Sequence, residues 1–488
     1  MKYGLSDEQL AEICNIIGSY PQIEEAVIYG SRADGAYKEA SDVDIAIKGE
    51  KADQSIASKL KFYLEEETYL PFFFDVVAYD TTPSAELKKQ IKTKGKTIYR
   101  KGWHEVKLGD VAEIIGGGTP STKEPKYWNG DIPWLTPKDL SNFKDRYIAH
   151  GERSISKLGL HNSNAKLLPA GTVLLTTRAP VGYLAIAKNE IAVNQGFKGL
   201  IANKHTDNVF LYYLLKRNVD YLKAHSSGTT FGELSKASLT SISFCIPSLP
   251  EQKAIAEVLS SLDDKIDLLH RQNKTLENMA QTLFQKWFIE DADEAWEEKK
   301  LAEIIDVNPK YRLKKGTLAP YLKMSNMNVN SHTPLNWYNR PFKSGMRFHN
   351  GDTLFARITP CLENGKTCFV DFLKENEIGW GSTEYIVMRS KPSLPMFLSY
   401  VIAKNNTFRN YAIGTMTGTS GRQRAQAKDL EEYPIDMPPP TVLKKFNKQC
   451  DDIALRLKTN TLQLRVLNAT RNMLLPKLMN GQARVGGF

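Results

Sequence analysis

Two apolar rows that repeat every 3.5 residues constrain this 488-residue chain more than any other feature. The first runs Ile255, Leu259, Leu262, Ile266, Leu269, Asn273, Leu276, Ala280, Leu283, Trp287, and the second Phe446, Cys450, Ile453, Leu457, Asn460, Leu464, Leu467, Arg471, Leu474, Leu478. Alternating steps of four and three keep one stripe of a helix turned to one partner, so each row predicts a long coiled-coil helix. Prolines precede both, Pro247 and Pro250 in one case and Pro438 to Pro440 in the other. A seam of about 33 residues at 1.5 Å each is about 50 Å long. Reversing the second row against the first brings Asn273 opposite Asn460. A facing amide pair satisfies its own hydrogen bonds and fixes register at some cost in stability. The expected arrangement is an antiparallel pair made by the chain folding back, with Asn273 and Asn460 as its register mark. Two unrelated surface asparagines on separate core helices are the alternative.

The segments ahead of the two rows echo each other. Trp103-His-Glu-Val-Lys-Leu108 is answered by Trp296-Glu-Glu-Lys-Lys-Leu301, and Gly171 to Arg178 by Gly351 to Arg357. Ser227-Gly-Thr229 is answered by Thr417-Gly-Thr419. A spacing of about 190 residues exceeds any solenoid period, so the pattern is a duplicated domain-plus-helix. The acidic residues 291–295 join the copies. Strand-like runs at 172–177, 184–187, 353–355 and 385–388, punctuated by Gly, Pro and Asn, predict mixed α+β heads.

Residues 1–100 differ in kind. Ser6-Asp-Glu-Gln9 is a capping box opening an amphipathic helix. Strands are expected at 26–29, 43–47 and 72–78, with helices near 52–66 and 84–92 between and after them. Gly30-Ser31-Arg32 closes the first strand, Asp42-Val-Asp44 opens the second, and Asp75 lies in the third. Strand alternation puts Asp42 and Asp44 on one face, where Asp75 can join them as hard oxygen donors for Mg²⁺. Gly30 and Ser31 let backbone approach the phosphates of a nucleoside triphosphate.

This stretch resembles the minimal nucleotidyltransferase family, in which Gly-Ser-Arg-Ala-x-Gly leads to Ser-Asp-x-Asp. The resemblance implies a nucleotidyltransferase fold, Asp42, Asp44 and Asp75 as catalytic metal carboxylates, and Gly30, Ser31 and Arg32 as the nucleotide contacts. Asp34 departs from it, standing where such proteins often carry a basic residue. The alternative is a catalytically silent binding domain. The family includes antitoxins.

Charge separates the parts. The chain carries +10, with 14 Lys and Arg against 17 Asp and Glu in residues 1–102, which leaves 51 against 38 in the remainder. A basic surplus confined to the larger part suggests a polyanionic partner, nucleic acid first, although solubility alone also explains it. No apolar run reaches the roughly 18 residues of a membrane span, and the N-terminus lacks a signal-peptide core. Five scattered cysteines form no C-x-x-C pair, so neither disulfides nor zinc are expected and a reduced cytoplasm is the expected location.

Gly116-Gly-Gly-Thr-Pro-Ser121, Tyr127-Trp128, Gly130-Asp-Ile-Pro-Trp134, Asn194-Gln-Gly196 and Ile246-Pro-Ser-Leu-Pro-Glu-Gln252 carry a second likeness. They resemble the specificity subunits of type I restriction-modification systems, over roughly residues 103–485. The match is looser in the second half, where Met437-Pro-Pro-Pro-Thr and Gly381-Ser-Thr-Glu-Tyr385 stand in for the first-half motifs. The resemblance implies target recognition domains at 103–250 and 296–440 and spacer helices at 251–290 and 441–482. It also implies a bipartite double-stranded DNA site, two docked modification (methyltransferase) subunits, and restriction subunits in the full complex. The expected fold is multidomain α+β: a small α/β nucleotidyltransferase-like domain, then two α+β heads joined by an antiparallel pair of long coiled-coil helices.

Phosphate and base contacts need Lys, Arg, Ser, Thr, Asn or Gln on presented loops. Composition nominates Lys123, Lys126, Lys138, Arg178, Ser226, Ser227 and Thr229 in the first half. In the second it nominates Arg312, Lys314, Lys315, Arg357, Arg422, Gln423 and Arg424. Each is equally readable as a solvated surface residue. Gly116–Gly118 lacks the following Gly-Lys-Ser/Thr of a P-loop, and the eight histidines show no metal spacing. There is no Asn/Asp-Pro-Pro-aromatic methylation motif, no glycine-rich S-adenosylmethionine loop and no motor ATPase motif. The chain alone is therefore expected neither to methylate nor to cut DNA. The competing function is a nucleotidyltransferase enzyme whose larger part merely targets it to nucleic acid or a partner.

Overall fold

The computed structural model describes residues 3–38, 41–141, 143–226, 232–419 and 421–485. The chain falls into two compact units, Met1–Ser261 with Asn472–Phe488, and Leu262–Arg471. The architecture is multidomain α+β, with a small α/β N-terminal part and two long helices.

The first unit opens with helix α1 (Asp7–Gly18), whose expected capping box is present, Ser6 and Gln9 bonding reciprocally. Strand β1 (Glu25–Ile28), helix α2 (Gly30–Asp34), strand β2 (Val43–Lys48), helix α3 (Gln54–Glu66), strand β3 (Phe74–Ala78), helix α4 (Ala85–Lys94) and strand β4 (Lys96–Arg100) follow. The sheet order is β3-β2-β1-β4, with β2 and β3 parallel and the other pairs antiparallel. Strand β4 was not legible as a strand, because Lys96-Thr-Ile-Tyr-Arg100 is charged at both ends and only its last residue is buried. Period-2 alternation divides the sheet's faces. Val43, Ile45, Ile47, Phe74 and Val76 form one core with Ile13 and Ile17 of α1 and Leu60 and Leu64 of α3. Val27, Tyr29 and Ala46 turn to the other face, against Ile91 of α4.

The first head begins where strand Trp103–Lys107 pairs with Ser243–Pro247, the strand that leads into the first long helix, Leu249–Phe284. Between them lie a five-stranded sheet centred on Val173–Thr177 and a four-stranded sheet holding Trp128–Leu135. The second head repeats this plan inside the other unit. Strand Glu297–Lys300 pairs with Pro434–Met437, which leads into the second long helix, Pro440–Met479. Two four-stranded sheets lie between, one of them holding Thr353–Ala356.

Motif residues anchor these joints. Gln252, 1 % exposed, accepts from the Asp207 N–H and donates to the carbonyls of Pro247 and His205. A buried amide that satisfies loop and helix start together explains a Gln at that place. The second copy has Thr441 and Val442 just inside its helix and lacks this clamp.

Within the second unit the long helices run antiparallel, since facing positions climb on one as they fall on the other. Asp263 meets Arg471 at 2.9 Å, Ile266 and Leu269 pack with Leu464 and Leu467, Asn273 bonds Asn460, and Phe288 meets Phe446 with centroids 4.9 Å apart. The Arg471 break in the apolar row is thus an ion pair with a buried carboxylate. Near its end the first helix departs from the expected seam. The buried positions become Ala280, Phe284 and Phe288, and a π-helical turn closes it at Gln285–Glu290. Steps of four rotate the stripe away from a strict coiled-coil line and into the core of the second head. The C-terminal turns of the second helix, Leu474, Leu478 and Met479, join the core of the first unit beside Ile255 and Leu259. Among the described residues no helix is long and apolar enough to cross a membrane.

Candidate nucleotide site and nucleic-acid interface

The nucleotide candidates gather at one end of the N-terminal sheet. Gly30 follows β1 with φ +68°, and a Cβ there would collide with Asp44 Oδ2, so both the turn and the close approach require glycine. Asp44 and Asp75 are register partners on parallel neighbouring strands. Both lie on the α4 side of the sheet with Tyr29. Burial, then repulsion from Asp75 and Asp42, pushes the Asp44 carboxyl above its ordinary range, with Arg32 offsetting part. Burial and the carboxylates of Asp75 and Asp44 push the Tyr29 phenol well up. A set of crowded acids short of counter-charge fits a divalent cation. Among the described residues no three His, Cys, Asp or Glu side chains are already arranged as a metal cluster. The pair Asp44–Asp75 forms the nucleus, and Asp42 stands exposed just before β2.

Arg32 sits differently from the nucleotide contact the sequence suggested. It is 2 % exposed, and its guanidinium donates to the carbonyls of Tyr3, Ser41 and Asp42 at 2.6–3.1 Å. Cation–π contacts with Phe72 and Tyr37 complete its surroundings. These bonds make it a clamp on the Ser41–Asp42 backbone that sets the course of the Asp-x-Asp segment. Asp34, the departure from the family pattern, pairs with Lys94 of α4 at 3.0 Å.

In each head one loop gathers the polar motifs, through the same backbone bonds. In the first, Thr177 N–H donates to Gly196 O, Leu234 N–H to Thr177 O, and Gly196 N–H to Asn194 Oδ1. In the second, Arg357 N–H donates to Glu384 O, Ala425 N–H to Arg357 O, and Glu384 N–H to Ser382 Oγ. Asn194-Gln-Gly196 and Ser382-Thr-Glu384 are therefore the same turn. The duplicated strands align Thr177, not Arg178, with Arg357. The glycine run fits this loop too: Gly118 N–H donates to Val193 O, and a side chain on Gly117 would strike the Asn194 carbonyl. The exposed Gln195 is held by the Thr119 hydroxyl.

Half of the cations nominated for DNA are paired with carboxylates. Lys138 pairs with Glu152 at 2.9 Å, Lys126 with Glu124 at 3.5 Å, and Arg178 with Glu233 at 4.0 Å. In the second head Glu384 accepts from Nε and Nη2, one edge of the Arg424 guanidinium, and Arg357 donates to Gln426. Exposed pairs of this kind contribute about 0–1 kcal/mol, so a phosphate can replace the carboxylate at little cost. Lys123, Arg312, Lys314, Lys315 and Arg422 are exposed, Gln423 is half-buried, and the Ser226 hydroxyl is turned to the Lys223 carbonyl. Ser227 and Thr229 lie outside the described residues. Sequence reading missed Lys198. It is half-buried near Arg178, Lys236 and Glu233, and burial together with those two cations holds its ammonium below the usual lysine range.

Histidine also proved less bland than its spacing suggested. His332, 1 % exposed, faces Glu277 of the first long helix at 3.5 Å and Asp371 at 3.6 Å, with Thr461 of the second helix 3.4 Å away. Tyr400 donates to Glu277 at 2.8 Å. This buried cluster ties the second head to both helices. No periodicity signals it, because its members are far apart in the chain.

The family described as "Type I restriction modification DNA specificity domain" matches residues 100–278, and that described as "Polymerase beta, Nucleotidyltransferase" matches residues 11–102. The chain is 31 % identical over 414 residues to the type I restriction enzyme MjaIX specificity subunit of Methanocaldococcus jannaschii, covering 79 % of this chain and 94 % of that one. It is 29 % identical over 163 residues to the EcoR124I/EcoR124II specificity subunit of Escherichia coli, covering 32 % and 40 % of the two chains. In fold it is similar to the crystal structure of a type I restriction-modification system S subunit from M. genitalium. The TM-score is 0.51 and the identity 17 %, over 77 % of this chain and 96 % of that one.

Proposed function

The chain belongs to the specificity subunits of type I restriction-modification systems and carries an additional nucleotidyltransferase domain, and from that premise we propose that it reads a split duplex DNA site. Residues 103–250 read one half and residues 296–440 the other. The helices at 251–290 and 441–482 set the gap. The observation that carries this reading is the repeated loop geometry at Gly196 and Glu384, on heads that each lead into one member of an antiparallel helix pair. Duplicated heads suit a two-part target. Phosphate contacts are assigned to Lys123, Lys126, Lys138, Arg178 and Ser226 in the first head, and to Arg312, Lys314, Lys315, Arg357, Arg422 and Arg424 in the second. Gln195 and Gln423, amides on presented loops, are assigned to base reading.

Methylation and cleavage come from partner chains. The second long helix supports docking of modification subunits, because Leu455, Leu462 and Val466 are exposed on it at heptad-compatible spacing, off the buried seam. Restriction subunits complete the assembly. Mapping methylated adenines in a host that expresses this chain with its modification partner tests the reading. A motif split by a fixed unspecified gap is expected; a single continuous motif would contradict it.

The N-terminal domain is assigned nucleotidyl transfer, on the strength of the Asp44–Asp75 pair beside Gly30. An acceptor nucleophile attacks the α-phosphate of a nucleoside triphosphate, its proton passes to a carboxylate or water, and pyrophosphate leaves. Mg²⁺, when bound, supplies charge neutralisation at the triphosphate. Asp44 and Asp75 would hold it, with Asp42 at the rim, while Gly30 and Ser31 admit the phosphates and Arg32 keeps the Asp42–Asp44 segment in place.

A further inference from the structure

We infer that a cleft in the second unit, between the first long helix and helices Leu398–Lys404 and Asn406–Gly414, is an anion site for a phosphate-bearing ligand. Its volume, about 630 Å³, lies within the range of small-molecule sites, roughly 300–1,000 Å³. Lys274, Lys404 and Arg409 line it, and none of the three has an ion-pair partner among the described residues. Lys404 Nζ donates to the Val329 carbonyl at 3.1 Å and Arg409 Nη2 to Asn406 Oδ1 at 2.7 Å, which orients both cations without neutralising them. Burial, and the repulsion of Lys274 and Arg409, hold the Lys404 ammonium below its ordinary range despite the opposing pull of Glu277.

Two carboxylates, Glu277 and Glu290, also line the cleft. Glu277 is already engaged, accepting from Tyr400 Oη at 2.8 Å and from the His332 N–H at 3.1 Å, beside the His332 ring. Helix Asn406–Gly414 starts in the wall, and its positive end adds to the field. An anion relieves the crowding of three cations, whereas a neutral or cationic ligand does not. Guanidinium and ammonium donors held a few residues apart suit the several oxygens of phosphate.

Two sources offer that chemistry: the duplex backbone, which rests on the DNA-reading function proposed above, and a free polyphosphate, which does not. To test the site, the full-length chain is titrated calorimetrically with sodium tripolyphosphate in EDTA, so that metal-dependent binding at Asp44 and Asp75 is silent. Saturable binding is expected, weakened by about ten-fold or more in Lys404→Gln and in Arg409→Gln, the loss of one charged hydrogen bond. Lys274→Gln, at an exposed side chain, weakens binding at an unaltered thermal midpoint, so that misfolding of the other variants does not obscure the result. Displacement by a short duplex of random sequence assigns the cleft to DNA backbone; retention under saturating duplex assigns it to a free polyphosphate. Absence of saturable binding in the wild type, or binding indifferent to all three cleft substitutions, overturns the site. A methylation map that stays split in that event leaves the DNA-reading function standing.

Discussion

Asn460 Nδ2 donates to Asn273 Oδ1 at 2.8 Å, joining residues 187 positions apart within the antiparallel helix pair. Asn273 is 5 % exposed, so removing either amide strands the other in an apolar layer. Asn273→Leu alone is expected to lower stability by about 1–3 kcal/mol. The double Asn273→Leu/Asn460→Leu variant should be close to neutral, or more stable with a less unique register. Urea denaturation of Asn273→Leu, Asn460→Leu and the double variant closes the cycle, and simple addition of the single losses would refute the pairing.

The His332 cluster makes a statement about pH. Burial alone would depress this imidazole, but the nearby carboxylates of Asp371 and Glu277 win and raise it to about 9. A raised folded-state value means that its contribution is complete below the unfolded value of about 6.5 and is lost as pH rises through about 9. Stability of the second unit should therefore fall between about pH 6.5 and 9. His332→Gln should remove that slope and cost about 3–5 kcal/mol at pH 7, because it leaves buried carboxylates unpaired. Thermal midpoints against pH decide; an unchanged slope in the variant is the contrary result.

Salt dependence tests the proposed phosphate contacts. Arg422→Ala and Lys315→Ala should each weaken DNA binding for specific and random duplexes alike, and each should flatten the log affinity–log salt slope by about 0.9. Glu384→Gln releases Arg424 and Arg357 from their shared carboxylate and is expected to tighten non-specific binding. Titrations at several salt concentrations, with the modification partner present, measure all three. A Glu384→Gln protein that binds random duplex more weakly would contradict the exchange of carboxylate for phosphate.

Asp44→Asn should separate function from stability in the N-terminal domain. Its folded-state value is raised, so the charged form is disfavoured by folding at neutral pH, and the amide removes that cost. The variant is expected to melt no lower than wild type while losing Mg²⁺-dependent transfer of labelled nucleotide by about two orders of magnitude or more. Equal label transfer in both proteins would remove Asp44 from the chemistry.

The helix pair was the most legible part of the sequence, because a heptad is a local pattern that states both which face is buried and what kind of partner it needs. Register followed from two asparagines alone. Three strands of the N-terminal sheet were visible through their buried alternation, whereas Lys96–Arg100 was hidden by charge. The seam failed where Phe284 and Phe288 leave it for the second head, since that competition is tertiary. The cations proposed to contact DNA were named from composition, but the carboxylate partners Glu152, Glu233 and Glu384 come from other loops. Arg32 read as part of a phosphate motif, and only the fold shows that its hydrogen bonds go to backbone.

The central claim is that the length of the paired helices sets the separation of the two half-sites. Inserting one heptad into each helix, at facing positions of the seam, lengthens the pair by about 10.5 Å at 1.5 Å per residue. At 3.4 Å per base pair that is about three base pairs. Methylation mapping in cells expressing the lengthened chain with its modification partner should return the same two half-sites with a gap wider by about that amount. The same half-sites with an unchanged gap would contradict the claim.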